Sequence, residues 1–189
     1  MTGKWLFFIV FVVVGVALDQ WSKQWALANL QYSQTQEAWS GLLLLTLSFN
    51  KGAAFGLNLG DASRGIFIVF IIATVTWLTV VYHRTHAGGL RRLGLALVCA
   101  GALGNLTDRI TSDAGVVDFL GPYNLGFMLW PIFNVADIWV VLGIAALFIA
   151  MSRHDANPAL VQSEPLAPVA ASPAEAVPSL MPTREEQAP

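Results

Sequence analysis

Four stretches of the chain are apolar over long runs, and polar residues interrupt them at particular places. The first runs from Trp5 to Leu18 and continues less cleanly through Trp25 and Leu30. The second, Gly65 to Tyr82, carries 18 residues without a charge. The third, Leu93 to Leu106, is short, and the fourth, Phe127 to Met151, is interrupted by Asn134 and Asp137. A bilayer core takes about 20 helical residues. The first and third therefore cross only if polar residues at their C-terminal ends lie inside the membrane. Between the first two stretches, Gly41 to Phe49 (GLLLLTLSF) is too short to cross and is flanked by Ser40 and Asn50. It reads as a strand that folds back through Ala53–Leu59 into a small sheet on the membrane surface. The expected fold is an all-α integral membrane protein with four transmembrane helices. A small periplasmic β-sheet would come from an insertion at about residues 31–62.

Composition supports a lipid solvent. Hydrophobic residues make up 56% of the 189 and charged residues 12%, about half the charged share of a soluble domain. A chain of this size has too little interior to hide so much apolar surface. Nucleic acid is excluded as a partner because phosphate contacts need clustered Lys and Arg, and the net charge is only −2. A lone cysteine, Cys99, rules out an internal disulfide and reads as packing in an apolar run. Residues 155–189 hold seven of the nine prolines and almost no large apolar groups. Such a segment is expected to be a disordered cytoplasmic tail beyond a membrane domain at 1–154.

Basic residues set the expected orientation. Lys4, Arg84, Arg91, Arg92 and Arg153 all fall on one side if the four spans alternate. That side is cytoplasmic, and both termini lie there. Lys4, the apolar stretch and Gly15-x-Ala17 also match the outline of a cleavable signal peptide, but cleavage there would sever Asp19 from its helix. Helix rise converts sequence into depth at about 1.5 Å per residue. Asp19 then lies roughly 22 Å above Lys4, Asn105 and Asp108 roughly 20 and 24 Å above Arg92, and Asp137 roughly 24 Å above Arg153. Three helices put polar groups at one level near the outer face. The second span offers only Thr74, Thr76 and Thr79, which can bond back to their own helix, and reads as scaffold.

An ionisable group at bilayer depth points to function unless it is paired. Asp19 has Lys23 at i+4 in the favourable acid-first order. Asp108 and Arg109 stand at the exit of the third span, where snorkelling explains them nearly as well. Asp137 has no basic residue within a turn and only Asn134, at i−3, for polar company. His83, His86 and His154 all lie at the opposite end, so no Ser–His or Cys–His pair can form at this level. Carboxylate chemistry is what remains: two close carboxyls sharing a proton can serve as base and acid on one water. The candidates are Asp137 with Asp108, Asp113 or Asp118. A small proton- or ion-coupled carrier built on Asp19, Asp137 and Arg109 is the competing class, but nothing ionisable continues its path through the inner two-thirds of any span.

Five motifs then carry a resemblance. Asp19-Gln20-x-x-Lys23, Asn50-x-Gly52-Ala53-Ala54-Phe55, Gly101-Ala102-x-Gly104-Asn105-x-x-Asp108-Arg109, Val117-Asp118-Phe119 and Phe133-Asn134-x-Ala136-Asp137 stand in order across about residues 4–152. Together they resemble bacterial lipoprotein signal peptidase (signal peptidase II), with Ala100 where many members have a second glycine. The resemblance implies that Asp118 and Asp137 are the catalytic aspartates of an inner-membrane peptidase acting near the periplasmic face. It implies that Asn50, Gly101, Asn105, Arg109, Asn134 and Ala136 line the substrate groove or hold the dyad, and that Asp19 and Lys23 form the polar pair of the first span. The implied substrate is a diacylglyceryl-modified prolipoprotein, cut on the N-terminal side of its lipidated cysteine. No metal, organic cofactor or obligate protein partner is implied. Without the resemblance, the glycines of the third span serve helix packing equally well, and Asn50 could equally cap the turn into Gly52.

Overall fold

The computed structural model describes residues 3–52, 62–85 and 88–155. The expected tail at 155–189 and the expected return through Ala53–Leu59 lie almost wholly outside the described residues.

Four helices carry the architecture: α1 (Gly3–Asn29), α2 (Ala62–Arg84), α3 (Gly89–Thr111) and α4 (Val135–Asp155). Each is long and apolar enough to cross a membrane. They form because no proline interrupts them and their faces are apolar nearly all round, the pattern of a helix buried in lipid. Exposed side chains such as Val13, Val69, Phe70 and Phe148 cover the outside of the bundle. The hydroxyls of Thr74, Thr76 and Thr79 do bond back to the carbonyls of Phe70, Ile72 and Val75. That keeps α2 free of unsatisfied polar groups.

Helix α3 packs against all three other helices. Its glycines make this possible. A Cβ on Gly94 would strike the carbonyl of Gly143 on α4, and one on Gly101 would strike the carbonyl of Ala136. Without a hydrophobic driving force between helices in lipid, such close approach supplies the packing. These glycines therefore serve helix packing, with α4 and Asp19 lying against them. At one end of the bundle, Phe8 and Val12 of α1, Leu78 and Tyr82 of α2, and Leu95, Ala96 and Cys99 of α3 form a buried cluster.

The sheet corrects two readings. Strand β2 (Leu43–Asn50) is a strand, as its composition suggests, but its partners are β1 (Thr35–Ala38) and β3 (Val116–Leu120), both antiparallel, in the order β1-β2-β3. The third strand comes from beyond α3, not from the 31–62 insertion. Leu45, Leu47, Val117 and Phe119 pack with Ala26 and Leu30 at the end of α1, which fixes the sheet to the bundle. The apolar run from Phe127 is likewise not all helix. Tyr123–Asn124 (β4) and Leu129–Trp130 (β5) form a short hairpin, and α4 begins only at Val135.

Candidate active site

The N-terminus of α4 organises the site. A helix leaves its first N–H groups without partners, and here side chains fill them from two directions. Asn134 is the residue before the helix. Its Oδ1 accepts from the Asp137 N–H at 3.0 Å, while Asp137 Oδ2 accepts from the Asn134 N–H at 3.1 Å. This reciprocal pair is a capping box. The intervening N–H, of Ala136, donates 2.8 Å to Asp19 Oδ1 on α1.

Asp19 opens the second layer. Its Oδ2 pairs with Lys23 Nζ at 2.8 Å, the i+4 contact expected from the sequence. Lys23, only 1% exposed, also reaches Asp108 Oδ2 at 2.9 Å and Asn105 Oδ1 at 3.0 Å. Three acceptors thus satisfy three ammonium donors. Asp108 is buried in this network, which overturns the snorkelling reading. Its Oδ1 accepts from Gln20 Nε2 at 2.9 Å, and its Oδ2 also accepts from the backbone N–H of Val117 at 3.1 Å. That last bond pins β3 one residue before Asp118.

Asp118 stands in a strand, not in the loop expected after the third span. Register places it opposite Ser48, with Asn50 diagonally across on the same face. Asn134 joins it to the rest: Nδ2 donates 2.6 Å to Asp118 Oδ1 and 3.0 Å to Asn105 Oδ1. Asn105 Nδ2 in turn donates 3.0 Å to Asp137 Oδ1. The two aspartates are thus bridged by Asn134, which bonds each directly. Asp118 is 4% exposed, and Asp137 is half-buried. Burial, then the neighbouring charge of Asp137, pushes the Asp118 carboxyl up to about 7, against weaker opposing effects from Asn134, Asn50 and Lys23.

The residues that the resemblance assigns to the groove or the dyad fall in or against this network. Gly101 and Ala136 form the α3–α4 contact, and Gly104 lets Asp19 approach, since a Cβ there would meet its carboxylate. Asn50 Oδ1 accepts from the Gly52 N–H at 2.9 Å, so the turn-capping reading holds alongside its place beside Asp118. Arg109 bonds the Asn105 carbonyl at 3.2 Å and acts by charge on Asp118, Asp108 and Asp137. Asp113 is elsewhere, 92% exposed and paired with Arg64. Asp108 and Gln20 are the residues that sequence reasoning undervalued. Their signal was present: Asp108 lies one turn past Asn105 and Gln20 lies beside Asp19.

Known proteins resemble this chain in sequence and fold. A family model described as signal peptidase (SPase) II matches residues 10–153. The lipoprotein signal peptidase of Halothermothrix orenii is 36% identical over 146 residues, spanning 77% of this chain and 95% of the relative. That of Oleidesulfovibrio alaskensis is 35% identical over 153 residues, spanning 78% and 97%. A bacterial membrane enzyme solved by the in meso method at 2.3 Å resolution superposes with a TM-score of 0.70 at 28% identity, covering 80% of this chain and 90% of its own. With the match running through all four helices and all the motifs that build the polar network, the chain belongs to the signal peptidase II family of membrane peptidases.

Proposed function

We propose that the chain removes signal peptides from diacylglyceryl-modified prolipoproteins, cutting on the N-terminal side of the lipidated cysteine, with Asp118 and Asp137 as the reacting pair. The observation that carries this reading is the pair itself: two carboxyls from different elements, bridged by Asn134, one of them buried with its carboxyl pushed up to about 7. Asp137 draws a proton from water as that water attacks the scissile carbonyl, and Asp118 gives its proton to the carbonyl oxygen. Collapse of the tetrahedral intermediate hands a proton to the leaving amine and resets the pair, which titrates as a unit. Asn105 and Asn134 hold both carboxyls, while Lys23 neutralises Asp19 and Asp108 behind them.

The enzyme resides in the bacterial inner membrane with both termini cytoplasmic and the site near the periplasmic face. The grouping of Lys4, Arg84, Arg91, Arg92 and Arg153 at one end supports this orientation. A site at the outer level suits a substrate whose signal helix and acyl chains both lie in lipid. Purified protein in detergent, incubated with lipidated precursor, yields a shorter product. Asp118→Asn and Asp137→Asn each lower turnover by about 10³-fold or more, and the double variant is no worse, as for groups acting together. Substantial turnover in either single variant would defeat the two-carboxylate mechanism. A reporter fused after Arg91 reads cytoplasmic and one after Asp113 periplasmic; the reverse would overturn the orientation.

A further inference from the structure

Arg109 is a cation among carboxylates that it does not touch. Its charge acts on Asp118 most, then on Asp108 and Asp137, yet among the described residues it forms an ion pair with none of them. In a dry site a guanidinium near a carboxylate gains by closing to bidentate contact. Something must hold it aside. The group against it is Phe67 of α2, whose ring centroid lies 5.2 Å from the guanidinium carbon. Such stacking stabilises by about 0.5–2 kcal/mol depending on desolvation.

The ring also packs against Gly52. That residue is buried with φ +93°, and a Cβ on it would collide with the ring of Phe67. The helix bearing Phe67 is itself tied to the end of α3. Arg64, one turn earlier, donates from Nε to the Arg109 carbonyl at 2.6 Å and from Nη2 to the Ile110 carbonyl at 3.0 Å. Phe67 therefore packs against both the Gly52 backbone and the Arg109 guanidinium, on a helix fixed to the end of α3.

We propose that Phe67 is a positioning residue for the peptidase reaction: seated on Gly52, its ring holds the Arg109 guanidinium beside Asp118 and Asp137 and out of ion-pair contact with either. This rests on the reading of those aspartates as the reacting pair. A guanidinium closed onto Asp118 would favour its ionised form and strip the pair of the proton it must donate. Held on the ring, Arg109 leaves that proton in place and keeps its own N–H groups free of the carboxylates. The other charges in the network around the pair are Asp19 and Lys23 from α1 and Asp108 from α3; farther out, Arg64 pairs with the exposed Asp113, and Lys51 precedes Gly52 in sequence.

The test compares full-length Phe67→Leu and Phe67→Tyr in lipid nanodiscs. Two quantities are followed against pH: cleavage of a diacylglyceryl-modified precursor, as kcat and KM, and protonation of Asp118 by isotope-edited infrared spectroscopy. Leucine keeps apolar bulk without the ring face, so Arg109 closes onto Asp118. Both the alkaline limb of kcat and the Asp118 titration then move to lower pH by about one unit, with about tenfold lower kcat beyond the limb and KM little changed. Tyrosine keeps the ring and the wild-type profile. A uniform fall in rate with both titrations unmoved would overturn the proposal and leave Phe67 as packing. Should Phe67→Leu not fold, Gly52→Ala, which displaces the ring instead of removing it, must give the same acidward shift; an unmoved titration there overturns the proposal equally. Undiminished cleavage by Asp118→Asn would instead defeat the dyad reading, while the infrared titration would still report on Phe67.

Discussion

Helix α1 is fastened to the bundle by a lysine near each end, and the two fastenings work on different principles. Lys4 donates to the carbonyls of His83 at 2.7 Å and Thr85 at 2.9 Å, where α2 ends. The Tyr82 hydroxyl returns a bond to the Lys4 carbonyl at 2.6 Å, and Trp5 packs on both Tyr82 and His83. A cation at a helix C-terminus completes carbonyls that are otherwise orphaned. Neutral acceptors suffice, and among the described residues no carboxylate pairs with Lys4. Lys23 is held instead by two buried carboxylates and the amide of the half-buried Asn105. There the ion pairs themselves are the structure: Asn105 bonds Asp137, while Asp19 and Asp108 take the backbone N–H groups of Ala136 and Val117, one residue before Asp137 and Asp118. One knot fastens; the other fastens and sets the electrostatics of a site.

The contrast can be broken hardest at Lys23. Lys23→Met leaves Asp19 and Asp108 facing each other without a cation, and breaking a buried pair this way costs about 3–5 kcal/mol. Little folded protein should be recovered from membranes, and near-normal thermal stability would show the knot to be dispensable. The next effect is of pH. Burial raises the Asp118 carboxyl to about 7 from an ordinary value of 3.8. Its proton therefore contributes stability that is fully present below the unfolded value and is lost as pH rises through about 7. Melting curves of wild type should decline over that window relative to Asp118→Asn, and cleavage should fall on the alkaline side of it; parallel curves would contradict the raised carboxyl. At the other knot, Lys4→Ala should lower stability by about 1 kcal/mol and leave turnover per folded molecule unchanged, with Lys4→Arg recovering the loss. A changed pH profile in Lys4→Ala would erase the distinction between the two ends. Smallest of all, Asp113→Asn removes an exposed partner of Arg64 and should shift stability by less than about 0.5 kcal/mol. A larger shift would make that surface pair part of the active end.

The spans were legible because lipid demands long apolar runs, and the polar level was legible because helix rise is fixed. The start of α4 was not. Phe127–Phe133 is as apolar as a span, but much of it is hairpin, and apolarity alone does not separate the two. The better signal was Asn134-x-x-Asp137, a capping box that marks where a helix begins. Asp118 was recognisable by its motif, yet its strand depends on pairing with β2 some seventy positions earlier, and no local pattern encodes a partner so distant. Lys23 with Asp19 followed from i+4 spacing on one helix. That Lys23 also takes Asp108 depends on where α1 crosses α3, a matter of glycine-mediated packing that sequence periodicity leaves open.

The capping of α4 has a consequence for the order of events as the chain is made. Two of the N–H groups in its first turn are satisfied by Asn134 and by Asp19, and Asp19 emerges from the ribosome more than a hundred residues earlier. With Asp118 and Asp137 as the proposed reacting pair, Asp137 is the later to be synthesised and the one whose orientation needs the first helix already in place. Until the fourth span inserts and docks, the earlier aspartates form a half-site with no partner to share a proton. Proteolytic competence is thus the final step of biogenesis, and a truncated or misinserted chain is inert by construction instead of being a stray protease in the membrane.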